Sequence, residues 1–286
     1  MTAFPEKDVM GLPRPQASTG SDGSVHYSAP AAACAADILL LLAGSPEPLA
    51  LSQLARDLGR TRSLVFRVIR ELEPRDLIVR SEDGCYGLGV ATLELGGAYL
   101  SASELAQAAR QITQDLSRET GETTSLGVVR HGDVTYLIRN EGRNTLLTIS
   151  HVGGRIPANC AAMGKALLAE LSDEELHAVL KDPLPRLTPH SIGTLADLQS
   201  TLVLIRERGY ATDEQETVLG RSCIAVALPS HTERAAISIS VSHDTFAERR
   251  EDLLAALLAT RDRLTREMNG RIALRGEDRL KALTAE

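Results

Sequence analysis

The chain has no tryptophan and few other aromatics, which make up 3% of its 286 residues. That scarcity argues against a single-strand nucleic-acid binder, whose successive bases stack on aromatic faces. Cysteine is sparse too. Cys34, Cys85, Cys160 and Cys223 stand far apart and no Cys-x-x-Cys pair occurs, so zinc-ribbon and redox-motif readings fail. A disulfide framework is not expected at this size without an export signal. No apolar run reaches the ~20 residues of a membrane span. The longest, Ala29 to Ala43, carries Asp37, and Glu6, Asp8 and Asp22 precede it alongside Lys7 and Arg14. A signal sequence starts with net positive charge. The expectation is a buried helix in a cytoplasmic protein, with no membrane partner.

An excess of positive charge is also missing. The formal net charge is −7, from 31 basic and 38 acidic residues. This excludes a globally basic coat but not a local patch, and the patch is what decides groove binding. Hydrophobic residues at 43% and charged residues at 24% are a soluble globular mixture. The length leaves room for two domains.

Enzyme signatures are absent as well: there is no His-Glu-x-x-His, Gly-x-Ser-x-Gly or Gly-x-Gly-x-x-Gly. Gly164-Lys165 resembles the tail of a phosphate-binding loop. However, Asn159 occupies the place of its earlier glycine, and Ala166 that of the magnesium-binding Ser or Thr. No catalytic residue and no cofactor is expected. A metal site built from Cys160, Cys223 and a histidine stays open, because ligands converge in space rather than in sequence. Asp173-Glu174-Glu175 after Ser172 reads as a helix start with favourable charge, not as paired catalytic acids.

Residues 1–28 are rich in Gly, Pro, Ser and Asp and are expected to form a disordered tail. Residues 29–90 contain three helical patterns and a hairpin. The first helix is Ala31 to Ala43. The second runs Gln53 to Leu58 with Ser52 as N-cap, and Gly59 supplies the left-handed residue of a sharp turn. The third follows Thr61 as N-cap and stops at Pro74. Leu77 to Arg80 and Cys85 to Leu88 flank an Asp83-Gly84 turn, a strong hairpin signal. Residues 89–120 read as helix with a break near Ser101-Ala102-Ser103, the stretch 91–103 linking two domains.

Residues 104–275 would form the second domain, followed by a short tail at 276–286. Its strand-like runs are Thr123 to Val129, Val134 to Ile138, Leu146 to Ile149, Cys223 to Leu228 and Ala235 to Val241, with His131-Gly132-Asp133 as a hairpin turn. Its helix-like runs are Ala161 to Leu171, Asp173 to Leu180, Leu195 to Arg208 and Phe246 to Met268. Strand and helix blocks mix without strict alternation, so the second domain is expected to be an α+β unit with a mixed or antiparallel sheet flanked by helices.

Helix, glycine turn, helix and hairpin is the order of a winged helix-turn-helix. In the third helix, Val65, Val68, Ile69 and Leu72 form one apolar stripe. Arg60, Ser63, Arg67 and Arg70 fall on the opposite face, and from Gly59 to Arg70 there are four arginines and no acid. Arginine bonds bidentately to guanine or to phosphate. Thr61 and Ser63, near the helix start, suit phosphate or base edges. The expected DNA contacts are Ser52, Arg60, Thr61, Arg62, Ser63, Arg67 and Arg70.

Leu51-Ser52-Gln53-Leu54-Ala55-Arg56-Asp57-Leu58-Gly59, followed by Ser63, Phe66-Arg67 and Glu71-Leu72-Glu73, resembles the DNA-binding domain of IclR-type transcriptional regulators. Tyr86-Gly87-Leu88-Gly89 is similar to the end of that domain's wing. The likeness continues in Ala161 to Ala169, in Ile205 to Glu216, and in Gly220, Cys223-Ile224-Ala225 and Ile237-Ser238-Ile239-Ser240. Pro74-Arg75-Asp76 departs from the family's acidic-to-glycine turn, which implies an early end to the recognition helix. Asn159 replaces a residue often His, a possible change in pocket chemistry.

The resemblance implies a GAF-like effector-binding domain for a small organic or aromatic acid, with Asp213, Cys223, Ser238 and Ser240 in the pocket wall. Ser238 and Ser240 alternate with apolar neighbours and so share one strand face, either a pocket wall or a solvated surface. Small residues around Ala161, Ala162, Met163 and Gly164 open a helix start to which a ligand anion could come close. Lys165 is expected to be solvated or paired with an acid. Together these features predict an effector-controlled, sequence-specific regulator of double-stranded operator DNA. It would act as a homodimer, with two dimers able to pair on an operator. The alternative is a ligand-binding enzyme whose helix-turn-helix serves only for docking.

Overall fold

The computed structural model describes residues 29–143, 150–229 and 234–283, with side chains to residue 270. The predicted strand Leu146 to Ile149 and the N-terminal tail lie outside the described residues. The chain divides into two compact units, residues 1–99 and 100–286.

In the first unit, Cys34, Ile38 and Leu42 recur every fourth residue and are the buried positions of α1 (Pro30–Ala43). They meet Leu54 and Ala55 of α2 (Leu51–Asp57), the stripe Val65, Val68, Ile69 and Leu72 of α3 (Arg62–Leu72), and Ile78 and Tyr86 from the wing. The helix α2 begins one residue before the expected cap. Ala50 is its N-cap, and the Gln53 side chain accepts the Ala50 backbone N–H at 2.8 Å. Ser52 is therefore an exposed residue of the first turn rather than the cap. Gly59 has φ +62°, as the turn requires.

Thr61 caps α3 by accepting from Leu64 N at 3.4 Å. Pro74 cannot extend that helix. The chain continues as a 3-10 turn, Glu73–Arg75, and Asp76 turns left-handed at φ 53°. The wing is β1 (Ile78–Arg80) paired antiparallel with β2 (Tyr86–Leu88).

The helix α4 (Ala91–Ala102) buries none of its side chains. Ser103 breaks it from α5 (Glu104–Thr120), its hydroxyl accepting from Ala106 N at 3.2 Å. The break thus falls where the serines predict it, because a Ser N-cap satisfies an otherwise orphaned amide.

The second unit is built on a six-stranded antiparallel sheet of order β5-β4-β3-β8-β7-β6. Its strands are β3 (Thr123–Arg130), β4 (Asp133–Asn140), β5 (Arg155–Pro157), β6 (Ala211–Glu214), β7 (Arg221–Leu228) and β8 (Ala235–Ser242). Sequence periodicity misses β5 and β6, which are too short to show alternation. His131 (φ 51°) and Gly132 (φ 83°) turn β3 into β4, the positive-φ pair that a tight hairpin needs. One sheet face packs Leu126, Val128, Ile224, Ile237 and Ile239 against α5 and α9 (His243–Leu283). That last helix continues past the expected end at Met268.

The other sheet face carries α6 (Ala162–Leu168) and, through it, α7 (Asp173–Val179) and α8 (Leu195–Arg208). Ser172 and Thr194 cap α7 and α8 with their hydroxyls, and α8 ends at left-handed Gly209. Instead of reaching from Ala161 to Leu171, α6 has seven residues, all buried. Gly164 fits because a Cβ there would stand 2.1 Å from the Ala158 carbonyl oxygen. Lys165 is only 2% exposed. The expectation of a solvated lysine fails and that of an acid partner holds: its Nζ donates to Glu216 Oε1.

Candidate functional site

On the first unit, one face of α3 builds the core and the other is left to solvent. Arg62, Ser63, Arg67 and Arg70 are exposed on it, as are Thr61, Arg60 and Ser52 just before and below. Arg67 Nε donates to the Ser63 carbonyl at 3.3 Å, which lays the guanidinium along the helix surface. Arg60 does not continue the helical face: it precedes α3 and approaches Asp37 of α1 at 3.6 Å. Thr61 Oγ1 is engaged as the cap and lies 3.3 Å from Ser63 Oγ.

On the second unit, a pocket opens between the sheet face and the approach to α6. Ser125, Tyr136, Arg139, Ser150, Ile156, Ala161, Ala162, Met163, Asp213, Thr217, Val218, Arg221, Cys223, Ser238 and Ser240 line it. Asp213, Cys223, Ser238 and Ser240 therefore converge on one wall with Ala162 and Met163. Gly164 is not part of that lining; its missing Cβ leaves room for the Ala158 backbone. Asn159 is also outside the wall, donating through Nδ2 to the Pro185 and Ile192 carbonyls at 2.7 and 2.9 Å.

The register explains the convergence. Ser125 lies opposite Arg139 on one side and Ser238 on the other. Cys223 lies opposite both Ser240 and Asp213. The pairing of β3 with β4 slips between Leu126 and Gly127, so that Ile138 and Tyr136 face consecutive partners and Leu137 is the extra residue. A bulge shifts the alternation by one. Tyr136 and Arg139, three apart in sequence, then both reach the pocket, while Leu137 and Ile138 join the opposite core.

The two arginines were not among the sequence candidates. Arg221 Nη2 donates to Ser240 Oγ at 2.6 Å, and the Cys223 thiol donates to the same oxygen at 3.2 Å. Arg139 Nη1 donates to Ser150 Oγ at 3.1 Å. The one signal for them is an arginine within or beside a strand-like run, which alternation alone assigns to a solvated edge.

Electrostatics divide the wall. Asp213 is buried, and its Oδ1 accepts from the backbone N–H of Glu216 at 2.7 Å and of Thr217 at 3.3 Å, while its Oδ2 accepts from Thr217 Oγ1 at 2.6 Å. Burial nevertheless holds its carboxyl above the usual carboxylate range, against the pull of the Thr217 hydroxyl and of Lys165. Burial pushes Glu216 up to about 7, opposed by Lys165. The Cys223 thiol is pushed up to about 12, first by burial and then by Asp213. Burial likewise keeps the Tyr136 phenol neutral, well above its ordinary value. Among the described residues no group of three or more His, Cys, Asp or Glu could hold a metal. Cys160 instead donates to the Pro185 carbonyl at 3.4 Å.

An exposed cationic recognition helix with a wing, carried with a polar pocket on a curled antiparallel sheet, defines a class: a helix-turn-helix transcriptional regulator with an effector-binding domain. The IclR helix-turn-helix domain model matches residues 31–82, and the model for the bacterial transcriptional regulator IclR C-terminal region matches residues 97–266. The chain belongs to the IclR family.

Among its relatives, the HTH-type transcriptional regulator XynR of Escherichia coli K12 is 31% identical over 210 residues, covering 73% of this chain and 83% of the relative. BhcR of Paracoccus denitrificans is 34% identical over 213 residues, covering 74% and 76%. The crystal structure of an IclR regulator from Alicyclobacillus acidocaldarius superposes with TM-score 0.74 at 26% identity, covering 84% of this chain and 99% of that one. An IclR homologue from Microbacterium hydrocarbonoxydans, solved in complex with 4-hydroxybenzoate, shares the fold with TM-score 0.70 at 23% identity, covering 84% and 99%. No described helix is long and apolar enough to cross a membrane.

Proposed function

We propose that this chain reads operator DNA with α3 and senses a small organic or aromatic acid in the pocket of its second unit, without chemical turnover. Residues 29–90 act as the DNA-binding domain, 91–103 as linker and 104–275 as the sensor. The observation that carries the reading is the split of α3. Four buried apolar residues hold one face, and the other presents Arg62, Ser63, Arg67 and Arg70, with Glu71 as its one acid, paired with Arg75. A helix of this kind enters a major groove, where arginine discriminates guanine. Ligand binding would act by unequal affinity for DNA-competent and incompetent arrangements.

A cysteine nucleophile needs its thiolate, and the thiol of Cys223 is held protonated. That favours a binding pocket over the enzyme alternative. Self-association is supported by α4, which exposes Leu93, Leu95 and Tyr99 and buries nothing. An apolar helix left bare in this way is stabilised by a partner copy. Such a regulator works in the cytoplasm, as a dimer or a pair of dimers on its operator.

Mobility-shift titration on the DNA upstream of its own coding sequence, against scrambled DNA of the same length, tests the reading. Preference for the native fragment, altered by an acid that also raises the melting temperature, supports it. Equal affinity for both fragments under all conditions overturns it.

A further inference from the structure

We propose that Phe66 reads a thymine of the operator through its 5-methyl group and so fixes one base pair of the recognised sequence. The inference rests on the DNA-reading role above and deepens it. Phe66 is the fifth residue of α3, 46% exposed, and lies outside the core cluster of the first unit. The other phenylalanine among the described residues, Phe246, is 3% exposed. A lone apolar side chain on an ordinary surface needs no explanation. Phe66 stands on a different kind of surface. Arg62, Ser63 and Arg70, all exposed, are its neighbours at i−4, i−3 and i+4, the spacings that set side chains beside one another on a helix. The face that carries the cations into the groove therefore carries a bare aromatic ring among them.

A major groove offers such a ring one apolar partner. Guanine, adenine and cytosine present only hydrogen-bond donors and acceptors there, whereas thymine adds a methyl group. Ring against methyl takes apolar surface of both out of water. Ring against any other base edge strips water from polar groups and returns no hydrogen bond, which is costly. One contact thus favours thymine and disfavours the other bases at the same position. The arginines suit acceptors, guanine O6 and N7 or phosphate oxygens, and leave the methyl unread. Base edges are met by the N-terminal part of a recognition helix, which is where Phe66 stands.

The test removes only the methyl. Footprinting of the full chain on the DNA upstream of its coding sequence locates the bound segment. Each thymine in it is then replaced in turn by deoxyuridine, in both half-sites where the segment is symmetric. Base pairing and every hydrogen-bonding group stay as they were. In mobility-shift titrations the wild type should show one position per half-site where the replacement weakens binding about three- to tenfold, as expected for one buried methyl. Phe66→Ala should bind the ordinary operator more weakly by a similar factor and lose the difference between thymine and uracil at that position. Phe66→Leu, which keeps an apolar surface, should retain part of it. A change in DNA stiffness would act on wild type and variant alike, so the loss of coupling marks a direct contact.

Melting curves and sedimentation confirm that each variant is folded and assembled as the wild type is. Phe66→Gln, which keeps length but not the apolar ring, should also lose the difference and serves in place of an unfolded Phe66→Ala. The inference is overturned if no uracil weakens wild-type binding by more than about twofold, well under one buried methyl, or if the variants keep the full effect. A variant that alters assembly and leaves uracil discrimination intact overturns it too, and assigns the ring to a contact between copies. The DNA-reading role fails by a separate sign, equal wild-type affinity for native and scrambled DNA. A preferred operator without a coupled thymine removes the role of Phe66 alone.

Discussion

The recognition helix and the pocket meet water in opposite ways. On α3 the candidate DNA contacts are exposed and their placement follows from helical periodicity alone. In the pocket they are buried or half-buried, come from all six strands and the approach to α6, and depend on register. An exposed arginine pays little for its charge, whereas a buried one needs partners at fixed distances. The first site is thus robust in geometry and weak in individual contacts. The second is dense in hydrogen bonds and sensitive to small displacements.

The largest blow to this contrast is to the scaffold of the exposed site. Ile69→Ala empties a fully buried position in the small core of the first unit. It should cost about 2–5 kcal/mol in denaturant unfolding of that unit while leaving acid binding unchanged. A cost below ~1 kcal/mol would show that the stripe is not what holds α3. On the pocket side, Gly164→Ala forces a Cβ onto the Ala158 carbonyl. It should cost about 1–3 kcal/mol and reduce ligand affinity through displacement of α6, with operator binding by the ligand-free protein retained. Wild-type stability in this variant would mean that the loop yields freely.

Arg67→Ala sharpens the comparison from the other direction. It should weaken operator binding by about 1–3 kcal/mol if the side chain reads guanine bidentately, and change the melting free energy by less than ~0.5 kcal/mol, as surface substitutions do. Equal operator affinity in mobility shifts removes it from the contact list.

The smallest effect is one of pH. Glu216 titrates near 7 in the folded chain against about 4.5 unfolded. The folded state therefore binds more protons in this window, and stability falls as pH rises from about 4.5 to 7. The fall is confined to the second unit, and Glu216→Gln should flatten it. A stability profile that rises across the same window would contradict the burial argument.

Much of the helical architecture was legible because its signals are local. Thr61, the serines near 101–103 and Ser172 announce helix starts, and Asp83-Gly84 and His131-Gly132 announce hairpins. Where a local signal misled, a competing contact explains it. Ser52 looked like a cap, but the cap is Ala50, two residues earlier, whose amide donates to the Gln53 side chain. Arg60 fitted the helical spacing, but the helix starts after it, beside Asp37. Gly164 also marks a close approach of two backbones, its own and that of Ala158. Lys165 suits either solvent or an acid partner, and Glu216, far along the chain, supplies the acid.

The four polar wall residues Asp213, Cys223, Ser238 and Ser240 were named from the chain's resemblance to IclR-type regulators, and the structure brings them together. The two arginines beside them had no such signal. The direction in which Arg139 points depends on the single extra residue Leu137 in the pairing of β3 with β4, and alternation within one strand cannot reveal a bulge made by two.

The order of amino acids alone determined the α3 stripe, its cationic face, the caps and the turns, because each depends on residues within one or two helical turns of one another. The tertiary structure alone decided which charges are buried, where the sheet slips by one, and that Arg139 and Asp213 share a cavity. Those depend on strand neighbours far apart along the chain, whose hydrogen-bond register no local period encodes.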